Sequence, residues 1–122
     1  MSRQRQGLGR RGEELAANKL ASLGYTVVER NYRCPPGEID LVTRHGESWV
    51  FVEVRTRRGR AYGTPEESLT RRKRSHLIAA AQLYLQDHGL EDVPWRIDAV
   101  AVELGLSGEL RRVDVIENAV TG

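Results

Sequence analysis

A chain of 122 residues is long enough for one domain with a modest core and too short for two. Its 39% hydrophobic and 30% charged residues, without repeats or low-complexity tracts, exclude a disordered, fibrous or repeat protein. No apolar run reaches the roughly 18 residues of a membrane span, no hydrophobic segment follows the basic start to make a secretory signal, and a lone Cys34 excludes an internal disulfide or zinc cluster. A reduced, cytoplasmic protein with no membrane partner is expected.

The elements follow in chain order. Residues 1–8 read as a flexible tail. From Gly9 to about Leu23, Leu15, Ala16, Leu20 and Leu23 recur at helical steps, and Gly24 stops the helix. "YTVVERNYR" (25–33) is rich in β-branched and aromatic residues and reads as a strand, which "CPPG" breaks. Two strands follow, about 38–43 and 49–55, joined at "RHGE". Residues 56–68 form a basic loop punctuated by Gly and Pro. A second helix, about 70–88, carries Leu77, Ile78, Ala81, Tyr84 and Leu85 on one stripe and stops at Gly89. "WRIDAVAVEL" and "LRRVDVIE" form a closing strand pair around "GLSGE".

Charge is uneven along this order. Between Arg55 and Arg74, eight basic residues stand against Glu66 and Glu67, a net of +6 in a chain whose total is +2. Such clustering, with an isoelectric point near 9.0, points to an anionic partner such as nucleic acid; a solvated surface is the alternative.

Within "GEIDLVTRHGESWVFVEVR" (37–55), acidic residues interrupt apolar runs. Strand alternation places Ile39 and Leu41 on one face and Glu38, Asp40 and Val42 on the other. On the next strand Val50, Val52 and Val54 oppose Trp49, Phe51, Glu53 and Arg55. A turn centred on His45 and Gly46 pairs Leu41 with Val50, Ile39 with Val52, Asp40 with Phe51 and Glu38 with Glu53. Asp40 and Glu53 then become diagonal neighbours about 7 Å apart, able to converge on one cation. Carboxylates beside Phe51 and Trp49 need a compensating partner. A divalent metal, held by one or two carboxylates plus waters, is one; Arg55 or the loop arginines are the other.

Both helices aim side chains toward this region. Glu13 shares the small apolar face of Ala16, Ala17 and Leu20, either to join the acidic cluster or to meet the helix dipole. Glu14 points sideways. Lys73 extends the stripe of Leu77, Ala81 and Tyr84, whereas Arg71 and Arg72 point to solvent. His45, His76 and His88 form no metal motif, Tyr84 and Trp95 read as core, and Asp98 reads as a brace for the adjacent arginine.

Helix, three strands, helix, strand, with Asp on the second strand and Glu-x-Lys on the third, resembles the restriction-endonuclease-like fold of the PD-(D/E)XK nucleases. More closely, "RRGEELAANKLASLGYTVVERNYRCPPGEIDLV", "WVFVEVRTRR", "YGTPEESLTRRK" and "WRIDAVAVEL" resemble the YraN-type family of small bacterial proteins, across about Gly9 to Glu117. That family is likened to archaeal Holliday-junction resolvases, which are dimeric, Mg²⁺-dependent nucleases. The resemblance implies an α/β fold with a mixed sheet flanked by helices and an extra C-terminal strand. It implies Mg²⁺ or Mn²⁺ held by Asp40 and Glu53, with Glu13 completing the acidic cluster and Arg55 at the position where the motif usually has Lys. Arg55 and Lys73 would stabilise charge on a phosphate, with Gln82 a weaker candidate to assist. Arg57, Arg58 and Arg60, with Arg71, Arg72 and Arg74 at the start of the second helix, would contact a nucleic-acid backbone, DNA in preference to RNA, in a monomer or homodimer. An inactive scaffold that binds nucleic acid or a protein is the alternative, because arginine cannot act as a base.

Overall fold

A computed structural model describes residues 3–61 and 63–120. In chain order it comprises helix α1 (Arg3–Ser22), strands β1 (Thr26–Cys34), β2 (Gly37–His45) and β3 (Ser48–Arg58), a short 3₁₀ turn (Glu66–Ser68), helix α2 (Arg71–Asp87), and strands β4 (Trp95–Leu104) and β5 (Leu110–Val120). The order of helices and strands expected from the sequence is the order observed. The strands form one five-stranded mixed sheet in the order β1-β2-β3-β4-β5, antiparallel except where β3 runs parallel to β4. A parallel pair needs a long crossover, and α2 supplies it.

The two helices lie on opposite faces of the sheet, each over its own core. Ala16, Ala17 and Leu20 of α1 pack with Leu41, Val50, Val52, Val100 and Val102. On the other face Leu77, Ala80, Ala81, Tyr84 and Leu85 of α2 cover Ile39, Val42, Phe51, Ile97 and Ala99. Central strands covered on both faces become nearly continuous apolar runs, which is why "VFV" and "IDAVAV" lack polar alternation. Thr70 caps α2, its hydroxyl accepting from the Lys73 N–H at 3.3 Å.

Four expectations are corrected. Helix α1 begins at Arg3 and takes in most of the supposed tail; Met1 and Ser2 of that tail, and Tyr62 of the loop, lie outside the described residues. The basic loop is shorter than 56–68, because Thr56, Arg57 and Arg58 continue the parallel ladder opposite Val102, Glu103 and Leu104. The β2–β3 register is displaced by two residues: Leu41 pairs with Val52, Val42 with Phe51 and Thr43 with Val50. The turn holds Gly46 and Glu47 between His45 and Ser48, and Gly46, at φ +62°, supplies the positive φ that tight hairpins use. An even displacement preserves the facing of paired side chains, so Leu41, Val50 and Val52 still share a core.

The fourth correction concerns Ile39, which packs under α2 while Leu41 packs under α1. Alternation breaks between them because the β2–β3 ladder ends at Leu41 and Val52. Beyond that point the Asp40 carboxylate, rather than a β2 carbonyl, accepts the Val54 N–H at 2.8 Å. On the other side of β2, Asn31 of β1 adopts φ +54° between the Arg30–Leu41 and Tyr32–Ile39 pairs.

At the far end of the sheet, under α1, a buried polar network forms around Asp98. Its carboxylate accepts from Arg96 Nε at 2.9 Å, Tyr25 Oη at 2.8 Å and the Asn118 N–H at 2.8 Å. Arg96 also reaches His45 Nδ1 at 3.0 Å, and the His45 ring stacks on Tyr25 with centroids 4.0 Å apart. Asp98 therefore braces the sheet, as its neighbouring arginine suggested. Burial and the Asp98 carboxylate push the Tyr25 hydroxyl up to about 12. Arg96→Met is expected to cost about 2–3 kcal/mol in denaturant unfolding, less than the ~3–5 for a fully orphaned buried charge, because Tyr25 and Asn118 still hold Asp98.

Candidate functional site

Where β2 parts from β3, a cleft of about 300 Å³ opens, lined by Gly37, Glu38 and Asp40 of β2, Glu53 and Arg55 of β3, and Lys73 and His76 of α2. Just past the last ladder pair, Leu41 with Val52, the Asp40 and Glu53 side chains meet in hydrogen-bonding contact. Both carboxylates are half-buried. Burial first, then the hydrogen-bonding contact and charge of Glu53, raise the Asp40 carboxyl well above the usual carboxylate range; the Val54 N–H and Arg55 oppose this. Asp40, beside Glu53, therefore resists ionisation.

Glu13 approaches from α1. Burial, Asp40 and Glu38, in that order, lift its carboxyl from an ordinary 4.5 to about 7. Its half-buried position, within reach of the charge of Asp40 and Glu38 and beyond the first turn of α1, is thus what the fold provides in place of a helix-dipole role. A close approach of helix to strand makes this possible: a Cβ on Gly12 would lie 1.9 Å from Thr56 Oγ1. Glu14, pointing sideways, pairs instead with Arg30.

The cations divide into two groups. Lys73 faces the cleft, and its amine is lowered by desolvation and then by Arg55. Arg55 donates from Nε to Ser68 Oγ at 2.6 Å, and its Nη1 stands 4.0 Å from Glu53 Oε2, a marginal contact. Neutralisation of the acid pair by the loop arginines is not observed among the described residues. Arg60 is committed to a bidentate pair with Glu103, which Arg112 shares, and the two arginines hold that carboxyl down to about 2. Arg58, Arg71 and Arg72 are exposed, Arg57 is half-buried with an unpartnered Nε, and Arg74 Nε donates to the Leu69 carbonyl at 3.2 Å. Gln82 lies along other grooves beside Trp95, away from the cleft.

Among the described residues, no three His, Cys, Asp or Glu side chains converge closely enough to hold a metal ion by themselves. The chemistry of the donor set nevertheless fits a magnesium-type cation. Such ions take hard oxygen ligands, keep several waters, and commonly use only one or two protein carboxylates. Asp40 and Glu53 supply that number, and their mutual repulsion is the cost a cation removes.

Three contributors escaped the sequence reading. His76 lies one helical turn from Lys73, a spacing that could have flagged it. Glu38, placed by the expected register opposite Glu53, is instead a wall of the cleft. Ser68, which fixes Arg55, carries no sequence signal.

This geometry defines a small α/β protein with an acid pair and a lysine gathered where two strands of a mixed sheet part. The chain belongs to the uncharacterised protein family UPF0102, the YraN family, whose model matches residues 12–102. Relatives named as members span almost the whole length. The protein of Dehalococcoides mccartyi strain BAV1 is 48% identical over 120 residues, covering 98% of each chain. That of Roseiflexus castenholzii is 48% identical over 121 residues, also 98% of each. That of Moorella thermoacetica is 47% identical over 119 residues, 98% of this chain and 99% of its own. Among the described residues no helix is long and apolar enough to cross a membrane.

Glu13 sets a pH test with a definite sign. The fold favours the protonated carboxyl, so this contribution to stability is full below pH 4.5 and is lost as pH rises through about 7. Glu13→Gln stays neutral throughout. Melting curves of wild type and Glu13→Gln should coincide below pH 4.5, and the variant should become the more stable toward and above pH 7. A gap independent of pH would remove Glu13 from the acidic cluster.

Proposed function

We propose that this protein is a metal-dependent phosphodiester hydrolase acting on DNA, with the restriction-endonuclease-like arrangement its motifs resemble. The observation that carries the reading is the convergence of Asp40, Glu53 and Lys73 on the gap between β2 and β3, with Glu13 of α1 near enough to feel the charge of Asp40. A carboxyl whose ionisation is resisted, beside a second acid and an amine of lowered pKa in one cleft, is an arrangement that catalytic sites build.

Asp40 and Glu53 would hold Mg²⁺ or Mn²⁺, which when bound offsets phosphate charge and lowers the pKa of a coordinated water. The remaining work falls to the chain's own side chains. Lys73, partly desolvated, lies on the α2 wall of the cleft and can position a water or receive its proton. Arg55 stays protonated, so it binds phosphate and balances charge without acting as a base. Glu13, near its midpoint at neutral pH, can hold or release a proton behind Asp40. Arg57, Arg58, Arg71 and Arg72 would contact the DNA backbone, which positions a strand without reading its sequence.

One observation favours the alternative of a binding scaffold. Arg55 is turned toward Ser68, and the acid pair lacks a third protein ligand among the described residues. Manganese titration separates the readings. Wild type should bind Mn²⁺ with affinity that rises with pH, since the proton on the Asp40–Glu53 pair competes with the ion. Asp40→Asn should weaken binding by about tenfold or more. Cleavage is then assayed on branched, flapped and single-stranded DNA. Failure of wild type to bind Mn²⁺ rejects the hydrolase, whereas binding with every substrate left uncut supports the scaffold.

A further inference from the structure

A second cavity of about 120 Å³ lies beside the acid cleft on the α2 face of the sheet. Leu69, Ala101 and Ile116 contribute its apolar lining, and Arg55, Arg74 and Glu66 its polar groups. Arg55 lines both this cavity and the cleft, so one guanidinium separates them. Resting on the reading above, we propose that the cavity receives the base of a nucleotide whose phosphate lies at the cleft, and that it selects a pyrimidine over a purine.

Size decides first. A dry engineered cavity of ~150 Å³ takes one benzene ring, so a space of this order admits a single-ring pyrimidine and turns away a purine. Polarity decides next. Each of the two arginines has one nitrogen already engaged, Arg55 Nε on Ser68 Oγ at 2.6 Å and Arg74 Nε on the Leu69 carbonyl at 3.2 Å. Their terminal amines remain donors, and their planes offer a stacking surface for a base. Glu66 supplies the acceptor. Arg112 grips both of its oxygens, at 2.8 and 3.2 Å, and this hydrogen bonding keeps its carboxyl below the usual range. An ionised carboxylate still has lone pairs free beyond those two bonds, and it can only accept.

Two donors and one obligate acceptor match a pyrimidine edge: cytosine accepts at O2 and N3 and donates from its N4 amine, and thymine accepts at O2 and O4 and donates from N3–H.

The test measures anisotropy of the full-length protein with end-labelled strands of about eight nucleotides, a length within the usual span of single-strand sites. The probes are oligodeoxycytidine, oligothymidine, oligodeoxyadenosine and an abasic backbone of equal length. The wild type should prefer oligodeoxycytidine and oligothymidine to oligodeoxyadenosine by about tenfold, and to the abasic strand by more. Ala101→Leu, which fills the cavity, should bind the pyrimidine strands no better than the abasic strand. Glu66→Gln, which removes the carboxylate charge held by Arg112, should weaken both pyrimidine strands alike. Equal binding of all four probes by wild type overturns the base pocket while leaving nucleic-acid binding in place. Binding of none overturns both, and a preference for adenosine, or a pyrimidine preference unmoved by either substitution, overturns the pyrimidine assignment.

Discussion

The site depends on one hydrogen bond. Where β2 leaves β3 after Leu41, the Val54 N–H would lose its ladder partner inside a half-buried cleft. The Asp40 carboxylate takes it at 2.8 Å. An orphaned backbone donor costs about 1–3 kcal/mol, so this side chain is what allows the strands to part without that penalty. The same bond fixes Asp40 beside Glu53 and frees Ile39 to turn toward α2. The acid pair and the broken alternation are two consequences of one event, and a carboxylate is suited to it because it accepts one bond while keeping oxygens for another partner.

Ion networks at the two ends of the sheet hold this opening in place. Beneath α1, the Asp98, Arg96, Tyr25 and His45 cluster ties the hairpin turn of β2–β3 to β4. At the opposite end Glu103 gathers Arg60 and Arg112, and Arg112 continues to Glu66 in the 3₁₀ turn. That turn carries Ser68, whose hydroxyl donates to the Pro65 carbonyl and accepts from Arg55. A chain of contacts therefore runs from β5 through the 3₁₀ turn to the guanidinium at the cleft. Arg60, which the basic cluster assigned to an anionic partner, is engaged within the protein by Glu103, as is Arg112.

What the sequence made legible follows from how local each signal is. Helical stripes, strand composition and Gly or Pro punctuation act over a few residues, and they placed both helices and all five strands. Parity brought Asp40 and Glu53 together in principle, and helix phase turned Glu13 and Lys73 inward. The register was off by two because the turn had been centred on His45 and Gly46 rather than Gly46 and Glu47, and an even error leaves every paired face unchanged. The exchange of a carbonyl for a carboxylate at Val54 has no signature in spacing, since it arises only when strands diverge. Likewise Arg57 and Arg58 read as loop because strand β4, more than thirty residues onward, supplies their ladder.

Arginine at position 55 alters the division of labour within the site more than its charge suggests. A lysine there would present three rotatable donors and could release its proton once desolvated; arginine can do neither. Its Nε is spent on Ser68, which leaves the terminal amines as a fixed fork between the cleft and the neighbouring cavity. Arg55 also lowers the pKa of Lys73 by charge repulsion, second only to desolvation. The guanidinium therefore eases deprotonation of a lysine on another element while remaining a permanent cation itself. In the proposed hydrolase, proton transfer and charge compensation, which one lysine could combine, would fall separately to α2 and β3.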